Sequence, residues 1–169
     1  LWQPFHWFVL HPLVLWLLLC FFFSLHTSQI APHTAIGEDL DAPALCGVAA
    51  LDLADNRVRD VRAAQTLPLN LRALSLRANG LAGAPVLGAV LTLSALTVLD
   101  LSRNALAALP CAVADLLSLQ RLDVSHNALA ALPAALFTLR ELRDLALRGN
   151  RLRALPPAVG ALDSLQHLD

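Results

Sequence analysis

The stretch LDLSRNALAALP at residues 99–110 returns as LDVSHNALAALP at 122–133 and as LALRGNRLRALP at 145–156. A chain that writes one line three times at a fixed step is built from stacked copies of a single unit, and periods of 20–50 residues mark solenoids. Working outward, one template, L-x-x-L-x-L-x-x-N-x-L followed often by x-x-L-P, runs from Val48 to the end. Its first copy uses Val48, Leu51, Leu53, Asn56 and Val58, and its second Leu71, Leu74, Leu76, Asn79 and Leu81. The third runs from Leu96 to Pro110, the fourth from Leu119 to Pro133 and the fifth from Leu142 to Pro156, while a sixth opens at Leu165 and Leu168. The asparagines Asn56, Asn79, Asn104, Asn127 and Asn150 stand 23, 25, 23 and 23 residues apart.

Each template position has a physical task. In LDLS the two aliphatic residues alternate with a polar one, the period of a strand with one buried face. So short a strand cannot stand alone in water, but stacked copies can pair into a parallel sheet and pool their leucines in one core. Where the chain leaves the strand its backbone groups lose ladder partners. An Asn amide carries both donors and acceptors, so the five asparagines are expected to satisfy those groups inside the turn and to form a ladder. The LPAALFTL and LPPAVGAL segments return along the outer side, where apolar residues three apart (Val113 and Leu116, Val159 and Leu162) suit a short helical or 3₁₀ turn. The outer segments are wider than strands spaced about 4.8 Å apart, so the stack is expected to curve with its sheet inside. The second copy carries two extra residues and has Ala84–Pro85 in place of Leu-Pro, and the first offers Val61 there; both are expected to stack, with a bulge on the outer surface.

The remainder of the chain is of another character. The formal net charge is −1, but residues 1–37 hold no Asp, Glu, Lys or Arg, and the chain has no Lys, so Arg carries all of its fixed positive charge. Three domains of composition follow: an uncharged apolar segment over 1–37, a linker or N-terminal cap over 38–47, and repeats over 48–169. LVLWLLLCFFFSL at 13–25 is apolar enough for a signal-peptide core or part of a membrane span. No basic flank precedes it and no small-x-small cleavage site follows, and a bilayer needs about twenty residues. Three readings stay open: a degraded targeting or anchoring segment, a stretch foreign to the mature protein, or an apolar cap. Membrane association of 13–25 is open with them. The chain starts without Met and stops inside a repeat, as a fragment would. Cys20, Cys46 and Cys111 are too far apart for a disulfide framework or a zinc site, and no N-x-S/T sequon occurs.

Residues 48–169 resemble the leucine-rich repeat family. The 23-residue period with LPxxLxxLxxL is most similar to the intracellular leucine-rich repeat proteins of the Ras-group type. The resemblance implies an α/β repeat solenoid: a horseshoe with a concave parallel β-sheet and short helical or 3₁₀ turns on the convex side. It also implies a scaffold or signalling adaptor, cytoplasmic, that holds a protein partner on the concave sheet. A cysteine cluster of the kind that caps extracellular members has no match here.

The positions between and beside the buried leucines are read directly from the template. Between the pair stand Asp52, Ser75, Asp100, Asp123, Ala146 and Asp169; after it Ala54, Arg77, Ser102, Ser125 and Arg148; next Asp55, Ala78, Arg103, His126 and Gly149. Before the pair stand Arg72, Thr97, Gln120, Arg143 and Gln166, then Ala73, Val98, Arg121, Asp144 and His167. An acidic column bordered by arginines results. The expected partner-binding residues are Arg72, Arg77, Asp100, Arg103, Arg121, Asp123, His126, Arg143 and Arg148, because Arg suits bidentate carboxylate contacts and hot spots. Ser125, His126 and Asp123 invite comparison with a catalytic triad, but the His126 position is Arg103 and Gly149 in neighbouring copies and no pocket is implied. No phosphate loop, metal spacing or aromatic-plus-basic surface occurs. The expectation is a non-enzymatic module with no cofactor, no metal, no nucleic acid and no small-molecule substrate. Two alternatives are an ectodomain of a membrane or secreted receptor, and the recognition arm of a larger enzyme.

Overall fold

A computed structural model describes residues 27–29, 48–56, 69–82, 87–88 and 90–169. Successive units pair in parallel and in chain order: β1 (Thr27–Gln29), β2 (Ala50–Asp52), β3 (Ala73–Ser75), β4 (Val98–Asp100), β5 (Arg121–Asp123), β6 (Asp144–Ala146) and β7 (His167–Leu168). Each strand lies beside its sequence neighbour because the return segment is just long enough to bring the chain back one strand further on. The register aligns Leu51, Leu74, Leu99, Leu122, Leu145 and Leu168. The longer second unit does not disturb this alignment: Leu74 still stands opposite Leu99. Its two additional residues are therefore accommodated away from the sheet. The expected bulge at Ala84–Pro85, and Val61, lie outside the described residues.

From β2 to β6 the strand centres are buried and their flanking residues half-buried or exposed. That is the alternation of a sheet with one face in the core. Leu53, Leu76, Leu101, Val124 and Leu147 form a second buried column beside the strand centres. The return segments are 3₁₀ turns at Val90–Thr92, Cys111–Asp115, Ala134–Thr138 and Pro157–Ala161. Their geometry follows from an apolar period of three. Pro110, Val113, Leu116 and Leu119 are joined by successive i to i+3 bonds, Val113 N–H to Pro110 O (3.1 Å), Leu116 N–H to Val113 O (3.3 Å) and Leu119 N–H to Leu116 O (2.9 Å). A 3₁₀ turn has three residues per turn, so all of these fall on one side, and the last three are buried. Pro133 through Leu142 repeats the pattern.

At the final unit the same template positions are less covered: Leu152, Val159 and Leu165 are only partly buried, and Leu155 and Leu168 are exposed. At the other end β1 adds Thr27–Gln29 to the sheet with Ser28 opposite Leu51, a strand without the leucine pair. The template gives no sign of it. Otherwise the segments 1–37 and 38–47, including 13–25, lie outside the described residues. No helix among the described residues is long and apolar enough to cross a membrane.

Candidate functional site

The face of the sheet turned away from the core carries the polar template positions. Its acidic column has a local occupation: Oδ1 of Asp52, Asp100 and Asp123 accepts the backbone N–H two residues on, from Ala54 (2.9 Å), Ser102 (2.8 Å) and Ser125 (2.9 Å). These Asx turns satisfy a donor where the strand ends. At the same position Ser75 makes no such bond among the described residues, and Ala146 has no side-chain acceptor with which to make one. Asp100 and Asp123, expected to meet a partner, are thus half-buried and bonded to their own strand ends. The D-x-[AS] spacing is the signal from which these turns could have been read.

Three residues after the strand centre's neighbour, the backbone turns left-handed. Asp55, Ala78, Arg103 and His126 have φ of 53–56°, and Gly149 has φ 70°. The template does not disclose this, since Gly149, Asp55 and His126 are of types found in such a conformation but Ala78 and Arg103 are not. The turn serves two purposes. It extends the ladder one step, with Asp55 N–H to Arg77 O (2.9 Å), Ala78 N–H to Ser102 O (3.0 Å), Arg103 N–H to Ser125 O (2.9 Å) and His126 N–H to Arg148 O (2.7 Å). It also carries the following Asn inward. Asn104 Nδ2 donates to Leu101 O (2.9 Å) in its own unit and to Leu76 O (3.0 Å) in the one before, while its Oδ1 accepts from Leu81 N–H (3.0 Å). Asn127 does the same with Val124 O, Leu101 O and Leu106 N–H, and Asn150 with Leu147 O, Val124 O and Leu129 N–H. Asn79 reaches back to Leu53 O (2.8 Å). Asn56 bonds only its own unit, to Leu53 O and Ala54 O, and its buried Oδ1 has no partner among the described residues.

The arginines divide into two kinds. Arg121 Nε donates to Asp144 Oδ2 at 2.9 Å, a pair standing in register on β5 and β6, and His167 Nε2 on β7 lies 3.9 Å from the other carboxylate oxygen. Asp144 and His167 were not among the expected binding residues; their relation to Arg121 is visible only once the strands are aligned. With Arg121 63% exposed the pair adds little to stability. Arg72, Arg77, Arg103, Arg143 and Arg148 are exposed, and their side chains have no hydrogen-bond or ion-pair partner among the described residues. Arg72 and Arg143 precede their strands and the other three follow theirs. His126 is also exposed, and its ring lies over Gly149: a Cβ there would stand 2.7 Å from Nδ1. The imidazole is packed on a neighbouring turn and Asp123 Oδ1 on the Ser125 amide, which is not the relay of a nucleophilic triad. Among the described residues no three His, Cys, Asp or Glu side chains come together as metal ligands would.

The geometry of buried leucine pairs, Asn ladder and outer 3₁₀ turns can now be set beside known proteins. A family model described as leucine rich repeat matches residues 70–129 and 118–169, together more than half of the chain. The chain belongs to the leucine-rich repeat family. Among solved structures, a leucine-rich repeat protein of Leptospira interrogans is similar at 30% sequence identity with a TM-score of 0.68. That match covers 78% of this chain and 36% of the Leptospira chain, so this chain spans about a third of it. Comparison with curated proteins found no match. Leucine-rich repeat domains are generally non-catalytic modules that bind protein partners, and the solenoid fold described above is theirs. The likeness supports the repeat family without singling out its Ras-group branch.

Proposed function

We propose that this leucine-rich repeat protein is an intracellular scaffold or signalling adaptor that binds a protein partner on the open face of its sheet. One observation carries the reading: six successive strands present in-register polar and charged side chains on a face that no other described element covers. An open sheet face in a stacked repeat is a ready docking surface, and Arg with uncommitted guanidinium groups is the residue type that anchors interfaces. The same face carries no Phe, Tyr or Trp among its described residues on which a base could stack, which favours protein over nucleic acid. The binding residues assigned are Arg72, Arg77, Arg103, Arg143 and Arg148, with Arg121, His126, Asp100 and Asp123 completing the surface and Asn56, Asn79, Asn104, Asn127 and Asn150 holding it in shape.

The test is site-specific photo-crosslinking in cells. A crosslinker at Thr97 or Gln120, on the sheet face, is expected to capture a discrete protein that one at Ala112 or Ala134, on the outer turns, does not. Equal capture from both faces would move the docking surface elsewhere, and recovery of the chain only from the secretory pathway would remove the intracellular assignment.

A further inference from the structure

The edge of the sheet where the strands end carries one base on each of four successive units: Arg77, Arg103, His126 and Arg148. Each is paired with a small neighbour, in the order Arg77–Ala78, Ser102–Arg103, Ser125–His126 and Arg148–Gly149. The small residue makes room; the His126 ring lies directly over Gly149. The bases are exposed, and the three arginines have no ion-pair partner among the described residues. Among the described residues no carboxylate forms an ion pair with them. Oδ1 of Asp100 and of Asp123 is turned onto a backbone amide and Asp144 is bonded to Arg121, while the exposed carboxylates among the described residues of this edge, Asp55 one unit before Arg77 and Asp169 one unit after Arg148, flank the ridge without pairing to it.

We infer that this ridge binds an extended acidic segment of a protein partner, lying across the strands where they end. The inference rests on the reading of the sheet face as a protein-docking surface. Four units at a strand spacing of about 4.8 Å span roughly 14 Å, and an extended chain places same-side residues about 6.8 Å apart. Carboxylates at alternate positions i, i+2 and i+4 of such a segment therefore match the ridge from end to end. Guanidinium forks hold carboxylates in charge-assisted pairs, which gives the ridge its preference for Asp and Glu.

The experiment is fluorescence anisotropy of the full chain with a labelled peptide of alternating Glu and Ser, beside a Gln-Ser peptide and an oligothymidylate of equal charge. The Glu-Ser peptide is expected to bind in preference to both. Arg77→Glu, Arg103→Glu and Arg148→Glu together are expected to weaken it by about tenfold or more, and the milder Arg→Gln triple by less. Arg140→Glu, Arg151→Glu and Arg153→Glu, exposed but off the ridge, change the net charge equally and are expected to have a much smaller effect. Equal losses in the two reversed triples, equal binding of the Gln-Ser peptide, or tighter binding of the oligothymidylate would each overturn the inference. If the protein captured from Thr97 or Gln120 binds the ridge variant undiminished, the acidic occupant falls while the docking surface stands. If no protein is captured from those positions, the docking surface itself falls.

Discussion

Replacing Asn127 by Leu tests the ladder at a position where each consequence can be followed atom by atom. The two side chains have the same number of heavy atoms, Leu being the bulkier, and Asn127 is 9% exposed, so the change removes polarity without opening a cavity. Three carbonyls lose a donor, but all three keep another. Leu101 O retains Asn104 Nδ2 (2.9 Å), Val124 O retains Asn150 Nδ2 (2.9 Å), and Ser125 O retains Arg103 N–H (2.9 Å). The one group left with nothing is the Leu106 N–H, whose acceptor at 3.0 Å was Asn127 Oδ1. A single buried orphan donor costs about 1–3 kcal/mol, and that is the expected loss, because the shared carbonyls spare the rest. Urea denaturation followed by circular dichroism reads the midpoint. Asn56→Leu supplies the contrast: its Oδ1 accepts no bond among the described residues and Leu53 O keeps Asn79 Nδ2, so among the described residues the same substitution orphans no donor and leaves only the half-buried Ala54 O without its donor. It is expected to cost less than Asn127→Leu, about 1 kcal/mol or under. An Asn127→Leu midpoint equal to that of the parent, or an Asn56→Leu loss as large, would refute the reasoning.

Three further outcomes are expected from the same measurement. Ala78, at φ 53°, bears left-handed strain that glycine lacks, so Ala78→Gly should raise stability by about 0.5–1 kcal/mol net of glycine's entropy, whereas Ala73→Gly within β3 should lower it. Gly149→Ala sets a methyl 2.7 Å from His126 Nδ1 at φ 70° and should cost about 1–3 kcal/mol; adding His126→Ala should return the steric part, so additive losses would contradict the ring's placement. Leu122→Ala should cost about 2–5 kcal/mol at a fully buried strand centre, while Leu117→Ala, 68% exposed before the same strand, should stay within about 0.5 kcal/mol.

Much of the fold was legible because its determinants are periodic. Leu99, Leu101 and Asn104 announce their roles by recurring as Leu122, Val124 and Asn127, and the apolar step of three after Pro110 and Pro133 marks 3₁₀ turns. The pattern admits either helical or 3₁₀ turns, and the described ones are 3₁₀. The candidate surface was legible as a set of positions but not as a set of free groups. Arg121 and Arg103 look alike in the template, yet one is bonded to Asp144 and the other has no partner among the described residues, because a strand neighbour is chosen by register. The Asp column, read as partner-facing, also closes its own turns through Oδ1, a local bond that side-chain type alone does not disclose.

Local alternation and a fixed period were enough to determine the units, the buried leucines and the parallel stack, since burial of one strand face is dictated residue by residue. Tertiary structure decided everything that joins one unit to the next. Asn104 takes its N–H from Leu81, 23 residues away, and Asn127 from Leu106, 21 away. The difference equals the two extra residues of the second unit, absorbed off the sheet. Such contacts are governed by distance between stacked backbones rather than by separation along the chain, and so they come into being only when the units close on one another.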